Sequence, residues 1–75
     1  MTLAERIKHA RTQAGFTQIT FSEAIGCTQP VVSRYENGKN IPSLARLQTI
    51  AEACEVSFEW LATGNGQMAI QTLAS

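Results

Sequence analysis

Between Thr28 and Asn37 the chain reads TQPVVSRYEN, and four of these side chains are of types that complement the edges of paired bases. Taking Val32 and Tyr35 as an inward pair, a helical rotation of about 100° per residue turns Pro30, Ser33 and Arg34 outward and leaves Gln29 and Val31 on the flanks. The Gln29 amide can bond N6 and N7 of an adenine together, the Arg34 guanidinium can fork onto O6 and N7 of a guanine, and Val31 can meet a thymine methyl. Arg34 can also fall back to a phosphate or pair with a neighbouring carboxylate, and Ser33 can face a base or water. Around this face Gln18, Thr28 and the Lys39-Asn40 turn supply groups able to bond backbone phosphates, helped by the N–H groups of helix starts. Arg46 and the bases of the first helix would extend that contact.

Other chemistries find little to work with. There is no Gly-rich phosphate loop, no H-E-x-x-H, no nucleophile elbow and no convergent set of carboxylates, and so small a domain rarely holds a substrate-sized cleft. His9 stands alone on a face expected to be solvated. Cys27 and Cys54 lack the paired spacing of a zinc site and read as small packing residues. Nothing calls for a metal or cofactor, and the expectation is a binding protein rather than an enzyme.

Five short helices must position the outward face. Thr2-Leu3-Ala4-Glu5 is a capping-box start, and Leu3, Ile7, Ala10 and Ala14 form one stripe of the first helix, with Arg6, Lys8, His9 and Arg11 mostly off it. Gly15 supplies a left-handed stop. Thr17 caps a second helix from Gln18 to Ile25, with Phe21, Ala24 and Ile25 inward and Ile19 either half-buried or exposed. Gly26 ends it, Thr28 caps the third helix, and Pro30 falls in the first turn, where its missing N–H costs nothing. Asn37-Gly38 closes that helix. Ser43 starts a fourth, whose stripe is Leu44, Leu47, Ile50, Ala51 and Cys54. Ser57 caps a fifth, with Phe58 and Leu61 inward and Trp60 near the edge. No strand or internal repeat is expected, so the fold class is all-α, a compact helical domain over 1–64. Residues 65–75 form a C-terminal tail, either frayed, a linker, or a segment ordered against a second copy.

At 75 residues the chain is one domain, burying about 60 per cent of the surface its unfolded form exposes. With 44% hydrophobic and 16% charged residues the composition is that of a globular domain. No apolar run approaches the roughly 18 residues of a membrane span, and the charges in MTLAERIKHAR do not suit a signal peptide, so the expected location is cytoplasmic. Formal net charge is zero, yet all six basic residues and three of the six carboxylates precede residue 47, giving +3 there and −3 beyond. A neutral molecule can thus present a basic face.

The segments Thr17-Gln18, Ala24-Ile25-Gly26, Thr28-Gln29, Val32-Ser33-Arg34-Tyr35-Glu36-Asn37-Gly38-Lys39, Pro42-Ser43-Leu44, Ile50-Ala51-Glu52-Ala53 and Trp60-Leu61-Ala62-Thr63-Gly64 together resemble the helix-turn-helix domain of the phage repressor, Cro and Xre-type family. The resemblance covers residues 3–64. It implies a five-helix, lambda-repressor-like domain with a central helix-turn-helix, which dimerises and binds double-stranded operator DNA of two-fold symmetry, usually to repress transcription. It also implies that Gln18 and Gln29 contact DNA and that Asn37 to Asn40 form a backbone-contacting loop. Pro30 and Val31 stand where more polar residues are usual, which shifts recognition towards apolar contact and DNA shape. Glu55 stands where glycine is usual. A different class of function uses the same scaffold as a protein-interaction module, with Ile19, Pro30 and Val31 as its apolar patch.

Overall fold

Each helix begins at a residue whose side chain satisfies an otherwise open backbone N–H, except the third. In the computed structural model, which describes residues 1–69, α1 (Leu3–Gln13) follows Thr2, α2 (Gln18–Ile25) follows Thr17, α3 (Gln29–Glu36) follows Thr28, α4 (Leu44–Cys54) follows Ser43 and α5 (Phe58–Thr63) follows Ser57. The Thr2 hydroxyl accepts the Glu5 N–H at 3.2 Å and the Glu5 carboxylate accepts the Thr2 N–H at 2.7 Å. These bonds to Thr2, its backbone N–H first, hold the Glu5 carboxyl below its ordinary pKa. Thr17 and Thr20 form a second reciprocal box. Thr28 makes no capping bond, so its hydroxyl is not committed to the helix it precedes.

Gly26, with φ of +79°, makes the sharp turn from α2 into α3. α3 packs on both α2 and α1, α2 rests on α4, and α5 closes against α4 and α1. The core between them comprises Ile7 and Ala10 of α1, Phe21 and Ile25 of α2, Val32 and Tyr35 of α3, Leu47, Ile50, Ala51 and Cys54 of α4, and Val56, Trp60 and Leu61. Val32 and Tyr35 therefore hold α3 down as their spacing predicts.

Several expectations are corrected by helix phase. Ser22, not Ala24, is the third inward residue of α2, its hydroxyl satisfied by the Ile19 carbonyl at 2.6 Å, and Ile19 is exposed. Leu44 and Ala14 lie at helix ends that overhang the core, and both are exposed. In α5 Trp60 is buried and Phe58 exposed, the reverse of the expected pairing, because the helix turns Trp60 and Leu61 inward together. His9 is half-buried, with its ring 6.4 Å from that of Trp60.

The largest correction concerns the first helix. Arg6 and Arg11 are buried and so withdrawn from the DNA contact expected of the α1 bases, of which Lys8 stays exposed. Arg6 donates to the carbonyls of Leu61 at 2.8 Å, Ala62 at 3.4 Å and Met1 at 2.6 Å, tying the last turn of α5 to the N-terminus. A Cβ on Gly64 would stand 3.0 Å from its guanidinium. Residues after α5 also return to the domain: the Ser57 N–H donates to the Met68 carbonyl at 2.8 Å, Val56 and Ala69 form an isolated antiparallel bridge, and Met68 packs on the core. Ile70 and Leu73 of the tail lie outside the described residues.

Candidate nucleic-acid interface

The first side chain of α3, Gln29, is held from beneath. Its Nε2 donates to Gln18 Oε1 at 2.7 Å, and Gln18 Nε2 donates in turn to Glu36 Oε1 at 3.1 Å. Glu36 ends α3 and is gripped by Arg11 of α1, whose Nε bonds Oε2 at 2.6 Å and whose Nη2 bonds Oε1 at 3.1 Å. The remaining Arg11 bond, from Nη1, goes to the Phe16 carbonyl at 3.0 Å. The side chains of the pair are 10% and 4% exposed, so both charges are largely withdrawn from water and each depends on the other. This chain of bonds joins α1, both ends of α3 and the first turn of α2, and it brings Gln18 and Gln29 together at one edge of α3.

Along the rest of α3, Pro30 and Arg34 are exposed, while Val31 and Ser33 are half-buried. The Ser33 hydroxyl oxygen accepts from Asn37 Nδ2 at 3.3 Å, which leaves its proton to donate outward. After Gly38 the chain folds back, and the Arg34 carbonyl accepts the Lys39 N–H at 3.0 Å and the Asn40 N–H at 3.4 Å. Exposed Lys39 and Asn40 are thereby held at the C-terminal end of α3, with Asn37 and Arg34. Thr28 is exposed at the other end. The face thus runs from a pair of amides and a hydroxyl, through Pro30 and Val31, to two cations and two asparagines.

Arg46 is placed differently. It is half-buried, and its Nη1 donates to the Ile25 carbonyl in the last turn of α2, so the guanidinium braces the turn between α2 and α3. Cys27, in that turn, is half-buried; burial pushes its thiol pKa up, and the nearby Arg46 charge partly opposes this. Of the six basic residues only Lys8, Arg34 and Lys39 are exposed.

Reading the sequence for outward side chains missed Arg11 and Glu36, because charged residues were assigned to solvent. The spacing carried a signal: Arg6 is one residue from Ile7, and Arg11 one from Ala10 and four from Ile7, so both flank the inward stripe.

A helix-turn-helix family model matches residues 7–61. The chain is 41% identical over 69 residues to the HTH-type transcriptional regulator for conjugative element SXT of Vibrio cholerae, covering 92% of this chain and 32% of that protein. It is 31% identical over 61 residues to the cryptic phage CTXphi transcriptional repressor RstR of Vibrio cholerae serotype O1, covering 81% of this chain and 54% of that one. The chain therefore spans only about a third to a half of these relatives. Among solved structures, the P22 c2 repressor in complex with a synthetic operator superposes with a TM-score of 0.80 at 22% identity, over 87% of this chain and 98% of that one. The restriction-modification controller protein of Aeromonas hydrophila superposes with a TM-score of 0.73 at 25% identity, over 79% and 86%. The five-helix architecture expected of a lambda-repressor-like domain is thus the one observed, and the chain belongs to the helix-turn-helix family.

Proposed function

We propose that this chain is the sequence-specific DNA-binding part of a cytoplasmic transcriptional regulator, acting as a repressor at a two-fold symmetric operator. The observation that carries the reading is the outer face of α3, where Gln29 is pre-positioned by Gln18 and followed by exposed Pro30 and Arg34 and half-buried Val31 and Ser33. α3 enters the major groove. Gln29 bonds adenine, Arg34 reads guanine or a phosphate, and Val31 with Pro30 meets thymine methyls. Gln18, Thr28, Asn37, Lys39, Asn40 and one of the remaining N–H groups of Arg46 bond backbone phosphates. The names of the relatives, a regulator of a conjugative element and a phage repressor, support the regulatory role.

The protein binds as a homodimer, because one short helix reads too few bases for specificity and two half-sites one helical turn apart multiply it. Trp60 is buried in its own core, and exposed Ile41, Leu44 and Phe58 support the pairing. Sedimentation should show a dimer free or on DNA, and monomer in both states would overturn this part.

Selection from a random DNA pool tests the whole. Recovery of a two-fold symmetric site is expected, with Gln29→Ala and Arg34→Ala each weakening it by roughly 1–3 kcal/mol and random DNA less. Equal losses on both DNAs would remove base reading. Failure to bind DNA even at low salt would favour instead a protein partner on exposed Ile19 with Pro30 and Val31.

A further inference from the structure

The bonds beneath α3 have a direction, and the direction decides what Gln29 shows to a base. A carboxylate accepts hydrogen bonds and donates none. Glu36, ionised against Arg11, therefore requires the NH₂ end of the Gln18 amide, which contacts its Oε1 at 3.1 Å. The oxygen end of Gln18 is then turned to Gln29 and can only accept, so Gln29 must direct its own NH₂ inward, as the 2.7 Å bond records. What remains outward on Gln29 is the oxygen and the second N–H: one acceptor and one donor. That is the complement of adenine, whose N6 donates and N7 accepts, and not of guanine, whose O6 and N7 both accept. An amide turned the other way would offer guanine two N–H groups, but its oxygen would then meet the Gln18 oxygen.

We infer that Glu36, held by Arg11 and acting through Gln18, sets the polarity of the Gln29 amide and thereby selects adenine over guanine at the base pair Gln29 reads. Glu36 and Gln18 are in this respect positioning residues, selecting a base through Gln29. The inference rests on the proposal that α3 reads DNA, and deepens it.

Two substitutions at Gln18 leave the Arg11–Glu36 pair intact and so leave the fold its buried ion pair. Gln18→Met keeps the side-chain length but removes the relay, freeing Gln29 to turn either way. Gln18→Lys replaces it with a donor that can bond Glu36 and still donate to the Gln29 oxygen, turning the NH₂ outward. Each variant is to be checked for folding by circular dichroism and then measured against the selected site and its single adenine-to-guanine change at the Gln29 position. The position itself is identified as the one where Gln29→Ala abolishes the preference. Wild type should favour adenine roughly tenfold, Gln18→Met should bring the ratio towards one, and Gln18→Lys should invert it. The ratio is the readout because loss of a Gln18 phosphate contact would weaken both DNAs equally. Unchanged adenine preference in both folded variants would overturn the relay while leaving DNA recognition standing, as would a wild-type preference for guanine. Absence of any selected site would instead overturn the DNA-binding reading, and the relay with it.

Discussion

Removing one partner of the Arg11–Glu36 pair is a severe perturbation of this domain that leaves its apolar core intact. Glu36→Leu takes the acceptor away from three donors, Arg11 Nε and Nη2 and Gln18 Nε2. Gln18 is half-buried and can turn to water, so its loss is small. Arg11 cannot follow: its side chain is 10% exposed, and only the Phe16 carbonyl remains to it. Breaking a buried pair on one side costs about 3–5 kcal/mol, and the surviving carbonyl bond places this case at about 3. A domain of this size has roughly 4–11 kcal/mol of stability in all, so the variant should remain folded but near its limit. Arg11→Met should cost a similar amount, because it strands a carboxylate whose side chain is 4% exposed. The double variant removes both charges and puts apolar groups of similar size in their place, which is near neutral in comparable buried pairs.

Urea unfolding followed by circular dichroism measures all four corners of this cycle. With a slope of about 1–1.5 kcal/mol per molar urea, each single change should move the midpoint down by about 2–3 M, and the double change should restore most of it. Single losses below about 1 kcal/mol, or a double loss equal to the sum of the singles, would show that the pair behaves as an exposed one and that the burial argument is wrong.

Other outcomes follow from particular residues. Arg46→Ala should lower stability by about 1.5–3 kcal/mol, the range for a hydrogen bond to a charged group, by releasing the Ile25 carbonyl at the turn; an unchanged thermal midpoint would show that the turn does not need it. Glu55 adopts φ of +56° at the end of α4, a region costing an L-residue roughly 1–2 kcal/mol, so Glu55→Gly should gain about 0.5–1 kcal/mol after glycine's greater unfolded entropy is subtracted. A drop in melting temperature would contradict that. Burial pushes the Cys54 thiol up to about 11 from its ordinary 9.0, so it binds its proton more tightly folded than unfolded, and stability should fall as pH rises from about 9 towards 11. Alkylation of the native protein should accordingly reach Cys27 before Cys54, and equal rates would refute the difference in burial. Finally, if Arg34, Lys39 and Arg46 are the phosphate-neutralising cations of each protomer, a dimer displaces about six counterions and log K should fall with log salt at a slope of about −5.4; a slope near −10 would mean that far more basic side chains reach the DNA.

The five helices were legible because their starts and stops are written in single residues: Thr2, Thr17, Ser43 and Ser57 cap through their hydroxyls, and Gly26 and Gly64 end helices in the left-handed region. Outward and inward faces of α3 were legible for the same reason, since Val32 and Tyr35 fix its phase. What could not be read was the phase of α5, where six residues hold Phe58, Trp60 and Leu61 together and spacing alone does not choose among them. Contacts distant in sequence were equally out of reach. Nothing local to Glu36 says that Arg11, 25 positions earlier, will reach it, or that Gln18 will bridge it to Gln29.

On the proposed function, the buried arginines bear on how a molecule of zero formal charge would read DNA. Counting the N-terminal +3 as a basic face overstates what phosphate can meet, because Arg6 is spent on the end of α5, Arg11 on Glu36, and Arg46 at least partly on the Ile25 carbonyl. Two cations, Arg34 and Lys39, are left at the far end of α3. On that proposal non-specific affinity, which comes almost wholly from such charges, is expected to be low. Discrimination would not suffer under the proposed relay, because it would depend on oriented uncharged groups, and a charge pair withdrawn from the surface, Arg11–Glu36, is what orients them. Arg11 grips Glu36, Glu36 turns Gln18, and Gln18 turns Gln29. The domain commits part of its positive charge to the geometry of one amide, a division that, if α3 reads DNA as proposed, would favour a high ratio of specific to random binding over a high affinity for both.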